Sequence, residues 1–283
     1  MTCIFCGKEL EIITRQLRNK VGNVFYCKDC DLGILEEPVP DPEKYYAEEY
    51  RKTHRNDPCE ETPEQIYENT KNFQQIRVNR VNFFAKQPGD LLEIGCSAGQ
   101  FLSQINRHRL FGVEYDEGCR NFVKERFELQ VFDLFPAWET YDYVAMFQVL
   151  EHIQDPITYL KDIFKVMKPG GLLFVEVPNI NDHLRAIPAY NKFYFHEAHN
   201  WYFSEKSLQN LAEKSGFSIK YLEFIQDYGI KNYYHWLFKG TPIGIIGLMP
   251  EKEEMFKELD NTYRNYLCCN GVASNIFAVL EKS

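Results

Sequence analysis

Apolar positions along the chain follow two spacings. From Gln65 to Ala85 they fall at Ile66, Phe73, Ile76, Val81 and Phe84, a helical rhythm that predicts one helix. Short apolar runs then alternate with further helical stretches. Asp90–Ile94 reads as a buried strand, Gln100–Arg107 as the start of a helix, Leu110–Tyr115 as a strand and Glu117–Phe127 as a helix. Strands follow at Leu129–Phe132 and Tyr141–Phe147. A helix over Pro156–Met167 is closed by Lys168-Pro-Gly-Gly171, and a fifth strand covers Leu172–Val177. Strands alternating with helices imply an α/β fold, a parallel sheet covered on both faces. From Asn181 the pattern turns aromatic and irregular, then helical, then partly strand-like.

Before this region lie two cysteine pairs within residues 1–36 and an acidic, Pro- and Tyr-rich connector ending near Thr62, which reads as a linker with a short helix. The expected division is therefore 1–36, a small module; 37–63, a linker; 64–225, the α/β domain; and 226–283, a C-terminal extension that completes the substrate site. The 45% hydrophobic and 15% aromatic content of the 283 residues supplies a packed core. A net charge of −9 speaks against a general nucleic-acid binder, which needs a basic face. No apolar run reaches the roughly 18–20 residues of a membrane span, and no basic-then-apolar leader opens the chain. The expected location is thus the cytoplasm, with the nine cysteines as thiols.

In an open parallel sheet a ligand binds at the carboxyl ends of the strands, where the strand order reverses. The first strand ends in Glu93-Ile-Gly95-Cys-Ser97-Ala-Gly99, whose glycines allow a tight turn, with the amides of a following helix to receive polar ligand atoms. Glu114 ends the second strand, where a carboxylate can accept both hydroxyls of a ribose. Asp133 follows the third strand, within reach of an adenine amine. The same turn matches a G-x-S-x-G nucleophile elbow, with Ser97 as nucleophile, and a dehydrogenase shares the sheet; chain order and turn spacing suit neither.

The stretch LLEIGCSAGQFL resembles the first motif of class I S-adenosylmethionine-dependent methyltransferases. Tyr141 to His152, ending in Leu-Glu-His before Asp155-Pro156, resembles their fourth-strand motif, and MKPGGLLFVEVPN the approach to their fifth. The resemblance implies a Rossmann-like seven-stranded, mostly parallel sheet. It implies an S-adenosyl-L-methionine site formed by Glu93, Gly95, Ser97, Gly99, Glu114, Tyr115, Asp133, Leu134 and Gln148. Ser97 departs from the family, which has glycine there. His152 is read as structural.

Cys3-Ile-Phe-Cys6 and Cys27-Lys-Asp-Cys30 form two C-x2-C turns, a spacing suited to a closed, structural S4 zinc site in a zinc-ribbon-like module. Cys59, Cys96, Cys119, Cys268 and Cys269 lack such spacing and are read as free. The cysteine module, the YYAEEY connector and the methyltransferase segment resemble, in that order, enzymes that methylate sugars and polysaccharides. The string Phe193 to Ser204 resembles the His-Glu-His…Tyr-Phe-Ser stretch of sugar C-methyltransferases, and places His199 at their catalytic histidine. His196 stands where they have tyrosine. The reading that follows is His199 as base, with His196 and Glu197 as orienting groups. Gln226 to Gly240 mixes aromatics and amides as if to stack on sugars. O-methylation of a sugar, sugar nucleotide or glycan is expected, because only about 65 residues follow Phe217, too few for the extra domain of the C-methylating enzymes. The alternatives are a sugar C-methyltransferase, a non-catalytic zinc-ribbon adaptor, and an RNA or protein methyltransferase.

Overall fold

A computed structural model describes residues 1–46, 61–244 and 254–283. Cys59 and most of the YYAEEY connector lie outside the described residues. The strands are β1 Glu11–Gln16, β2 Val21–Cys27, β3 Leu32–Leu35, β4 Asp90–Ile94, β5 Arg109–Val113 and β6 Gln130–Phe132, then β7 Tyr141–Phe147, β8 Met167–Pro178, β9 Trp201–Tyr202, β10 Ser218–Ile225 and β11 Asn275–Glu281. The main helices are α1 Pro63–Thr70, α2 Gln75–Phe84, α3 Glu117–Phe127, α4 Pro156–Val166, α5 Pro188–Tyr194, α6 Glu205–Lys214, α7 Ile230–Lys239 and α8 Glu254–Cys269.

The central sheet has the order β10-β11-β8-β7-β4-β5-β6, with β11 alone reversed. The chain runs β4-β5-β6 toward one edge and returns at β7 on the other side of β4, so the order reverses between β4 and β7. Near-continuous apolar runs such as Leu91-Leu92 and Leu172-Leu-Phe-Val175 suit strands buried on both faces. On one face they pack under Val78 and Val81 of α2 and Val123 of α3. On the other they pack under Leu160 and Ile163 of α4 and Leu208 and Leu211 of α6.

The N-terminal strands form a second sheet, β1-β2-β3-β9. Its last strand comes from far along the chain: Gly33 pairs with Tyr202 and Ile34 with Trp201. Cys3, Leu10, Leu32 and Ile34 share the hydrophobic cluster under α4 and α6. The 226–283 stretch likewise supplies β11, which lies between β10 and β8 in the central sheet.

Several expected elements are corrected. The helix expected over Gln65–Ala85 is two helices joined by a 3-10 turn at Lys71–Gln74. Thr70 turns its hydroxyl back onto the Ile66 carbonyl at 2.6 Å, a bond that bends a helix. Ile76 is 52% exposed and Val78 is buried in its place. The helix expected at Gln100–Arg107 is one 3-10 turn, Leu102–Gln104. There the Gln104 backbone N–H bonds the Phe101 carbonyl at 3.0 Å, an i→i+3 bond, while its side-chain amide donates to the Lys71 and Gln100 carbonyls at 2.8 and 2.7 Å. Lys168-Pro-Gly-Gly171 lies within β8, where Gly170 N–H meets the Lys282 carbonyl at 2.7 Å.

Candidate functional site

At the carboxyl ends of β4, β5 and β7, where the strand order reverses, lies a cavity of about 810 Å3, within the range of small-molecule sites, about 300–1,000 Å3. Its walls are the turn after β4 (Gly95, Ser97), the end of β5 (Glu114, Tyr115), the turn after β7 (Gln148, Val149, His152), the start of α4, and Pro42 and Tyr46 from the connector. The turn after β4 is left-handed at Gly95 (φ 76°), Ser97 (φ 49°) and Gly99 (φ 76°). A Cβ on Gly95 would stand 2.6 Å from the Val149 side chain, so glycine is needed there for space as well as for backbone angle. Ser97 adopts the conformation that glycine prefers, and its N–H donates to Glu114 Oε2 at 2.8 Å. The other oxygen of Glu114 accepts the Asp116 N–H at 2.9 Å. One carboxylate thereby locks the β4 turn to the β5 turn across the cavity floor. Gln148 is a second non-glycine wall residue with positive φ, at 57°. Strain of this kind gathers where backbone must meet a ligand.

Behind the turn after β7 lies a buried polar network. Gln148 donates to Glu176 Oε1 and Asn275 Oδ1, both at 3.2 Å, and Arg77 of α2 forks onto Glu176. Burial works to raise the Glu176 carboxyl, and the Arg77 guanidinium overrides it and holds the group below the usual range. Glu93 is buried with one oxygen unpartnered, and desolvation pushes its carboxyl up to about 8. Asp227 rises to about 6, through burial and then the charge of Glu176.

Beside the cavity the segment 196–201 is stitched to the end of β7. Asn200 N–H donates to the Glu151 carbonyl at 2.9 Å and its side-chain amide to the His152 carbonyl at 2.6 Å. Trp201 Nε1 donates to the Ile153 carbonyl at 2.6 Å, and His152 Nδ1 donates to the Ala198 carbonyl at 2.7 Å. This docking brings His199 to His152, with ring centroids 4.8 Å apart, and His196 against His199 at 3.8 Å. Glu151 lies beneath them: its Oε1 stands 3.9 Å from the Nε2 atoms of both His152 and His199. Neither of its oxygens has a hydrogen-bond partner, and burial raises its carboxyl to about 8. Tyr46 of the connector adds its hydroxyl at 2.8 Å from His152 Nδ1.

In the amino-terminal module the four Sγ atoms of Cys3, Cys6, Cys27 and Cys30 all lie within 4.8 Å of one another. No disulfide joins them. Phe5 N–H points at Cys3 Sγ from 3.4 Å, as amides do around metal-bound thiolates. The Lys8 backbone bond, with smaller contributions from the neighbouring sulfurs, lowers the Cys6 thiol to about 7, while burial raises Cys30. Four convergent sulfurs of unequal acidity are the donor set that a soft dication completes.

Of the residues expected at the nucleotide site, Gly95, Ser97, Glu114, Tyr115 and Gln148 line the cavity. Glu93 and Gly99 stand behind the wall, and Asp133 and Leu134 are exposed beyond it. No helix amides back the β4 turn, since the expected helix is absent. His196, Glu197 and His199 share one loop but do not themselves line the cavity. His152, expected to be structural, does line it and touches His199. Sequence reasoning missed Glu151 and Tyr46 as members of this cluster. For Glu151 a signal was present in the Leu-Glu-His string, an acid within an otherwise apolar run.

The family model described as a methyltransferase domain matches residues 68–222, just over half of the chain. A Mycolicibacterium smegmatis protein named "probable S-adenosylmethionine-dependent methyltransferase" is 32% identical over 104 residues, covering 32% of this chain and 38% of that protein. The human mitochondrial ubiquinone biosynthesis O-methyltransferase is 25% identical over 173 residues, covering 52% of this chain and 46% of that enzyme. The chain therefore spans less than half the length of these relatives. Among solved structures, an S-adenosylmethionine-dependent methyltransferase from Archaeoglobus fulgidus superposes with a TM-score of 0.51 at 19% identity, covering 77% of this chain and 97% of that one. Its likeness shows the Rossmann-like methyltransferase fold.

Proposed function

Because the chain belongs to the methyltransferase-domain family, we propose that it is an S-adenosylmethionine-dependent O-methyltransferase. Its acceptor is a hydroxyl compound, with a sugar or sugar-linked group as the favoured class. The observation that carries this reading is the Glu114 carboxylate. It sits on the floor of the cavity between two left-handed turns, at the strand end where a ribose diol is bound in such sheets. When bound, S-adenosylmethionine supplies a methyl group already activated on a sulfonium, so the protein has to align an acceptor and manage its proton. Tyr115, at the end of β5, offers a flat wall for adenine. Gln148, held by Glu176 and Asn275, offers its strained backbone toward the amino-acid part of the ligand. The acceptor hydroxyl is activated at the cluster of His152, Glu151 and His199, with His196 and Glu197 orienting it.

The O-methyltransferase names of several relatives support transfer to oxygen. The names of those relatives also favour a second acceptor class, an intermediate of ubiquinone biosynthesis. The sugar assignment is supported by the sequence resemblance. The four thiolates are proposed to hold a structural Zn2+, with no open position for chemistry. Among the described residues no helix is long and apolar enough to cross a membrane. The deciding experiment is calorimetric titration with S-adenosylhomocysteine, followed by a mass-spectrometric screen of sugar nucleotides, glycan fragments and ubiquinone-biosynthesis intermediates for methyl transfer. Absence of binding would end the reading; methylation of those intermediates alone would end the sugar assignment.

A further inference from the structure

The Glu151 side chain is fully buried, and neither of its oxygens has a hydrogen-bond partner, an environment that disfavours the charged carboxylate unless a cation stands beside it. Two imidazole nitrogens face it from 3.9 Å, one from the turn after β7 and one from the docked loop.

The tautomer of one imidazole is settled by its neighbours. A carbonyl can only accept, so the 2.7 Å contact with Ala198 O places the proton of His152 on Nδ1. In the neutral ring Nε2 then carries a lone pair, and Nε2 is the atom near Glu151. A ring whose far nitrogen donates to a backbone carbonyl is how metal-ligating histidines are oriented. Ligand atoms bound to one ion at about 2.0–2.2 Å stand no more than about 4.2 Å apart; both histidine–carboxylate pairs meet that limit at 3.9 Å, and the three ligand atoms together lie within 4.8 Å of one another, so a small inward movement of the two rings would close the set on an ion.

We propose that Glu151, His152 and His199 form a second metal site, which binds a divalent first-row cation beside the cofactor cavity and presents open coordination positions to an acceptor oxygen. Two histidines and one carboxylate leave positions free, unlike the four-thiolate site. His152 belongs both to this trio and to the cavity wall, which puts the ion next to the methyl acceptor. The inference rests on the methyltransferase reading and refines it: His199 acts as a ligand that helps activate the hydroxyl, in place of the free base expected from sequence.

Metal content and cobalt spectra of the full chain test the site. The protein is stripped with chelator, given one equivalent of Zn2+ for the thiolates, and titrated with Co2+. A second equivalent should bind with weak visible bands and no thiolate charge-transfer band. His199→Ala and Glu151→Gln should each reduce the count from two metals per chain to one. S-adenosylhomocysteine affinity should stay within about twofold in both, which shows that the variants are folded. Saturation of the wild-type chain at one metal, or retention of two in both variants, would overturn the site. Normal S-adenosylhomocysteine binding beside a missing second metal removes only this inference. Failure of that ligand to bind wild-type protein removes the methyltransferase reading itself.

Discussion

The phenol of Tyr202 grips both backbone groups of His196, accepting its N–H at 2.9 Å and donating to its carbonyl at 3.0 Å. The turn that carries His196, Glu197 and His199 is therefore fixed by a strand residue six positions downstream, and that strand is the one paired with β3. Tyr202→Phe would keep the ring packing and orphan two buried backbone groups. The expected loss is about 1–3 kcal/mol in denaturant unfolding. Turnover should fall at least tenfold while S-adenosylhomocysteine affinity is unchanged. Equal turnover in the variant would show that the loop does not depend on this grip.

Glu114→Gln keeps the shape of the side chain and removes the charge that receives the amides of Ser97 and Asp116. The Kd for S-adenosylmethionine should rise about 10–30-fold, equivalent to about 1.4–2 kcal/mol. Calorimetry reads this directly. A change below twofold would mean that the carboxylate only braces the two turns.

Glu93 gives the stability a pH dependence whose sign is fixed by its burial. Desolvation raises the folded carboxyl to about 8, against the ordinary value of 4.5. The unfolded chain releases this proton near pH 4.5 while the folded chain retains it, so the contribution is complete below pH 4.5 and is lost as pH rises toward 8. Glu93→Gln stays neutral throughout. Its urea midpoint should fall less than that of the wild type between pH 5 and pH 8; parallel slopes would refute the assignment.

Removing metal from the four thiolates should unsettle more than residues 1–36. Cys27→Ser, or exhaustive chelation, is expected to cost at least about 3 kcal/mol, roughly 6–12 °C in Tm. Because β3 pairs with β9, turnover should drop with it. Calorimetric melting of stripped and reloaded protein checks both, and an unaltered melt would show that the thiol cluster is not a structural metal site.

The central sheet was legible because its signals are local. The runs Asp90–Ile94 and Tyr141–Phe147 and the helix Glu117–Phe127 occur where periodicity and caps place them, the last capped by Asp116 onto the Cys119 N–H at 2.8 Å. The helix expected from Gln65 starts at Pro63 under the Thr62 cap, a signal present in Thr62-Pro63…Gln65. Its break at Thr70 comes from one side-chain bond that no period reveals. After Gly99 the chain makes only the 3-10 turn Leu102–Gln104, and the Gln104 side-chain amide donates to the carbonyl of Lys71, thirty-odd positions upstream, a contact that a local reading does not see. The cavity turn was readable from its glycines. The Glu151 cluster was not, because it needs segments 151–153 and 196–201 brought together by tertiary hydrogen bonds. Pairing of β3 with β9 was equally hidden, since two residues of strand carry no periodic signal.

That short pairing makes the amino-terminal end a mechanical handle. Leu35 N–H holds the Asn200 carbonyl at 2.9 Å, and β3 runs alongside Trp201 and Tyr202. Tension from a fusion partner or surface anchor fixed at that end would load the histidine loop directly. The opposite terminus is better insulated, because β11 is clamped between two neighbours within seven strands. Tags and immobilisation chemistry belong there.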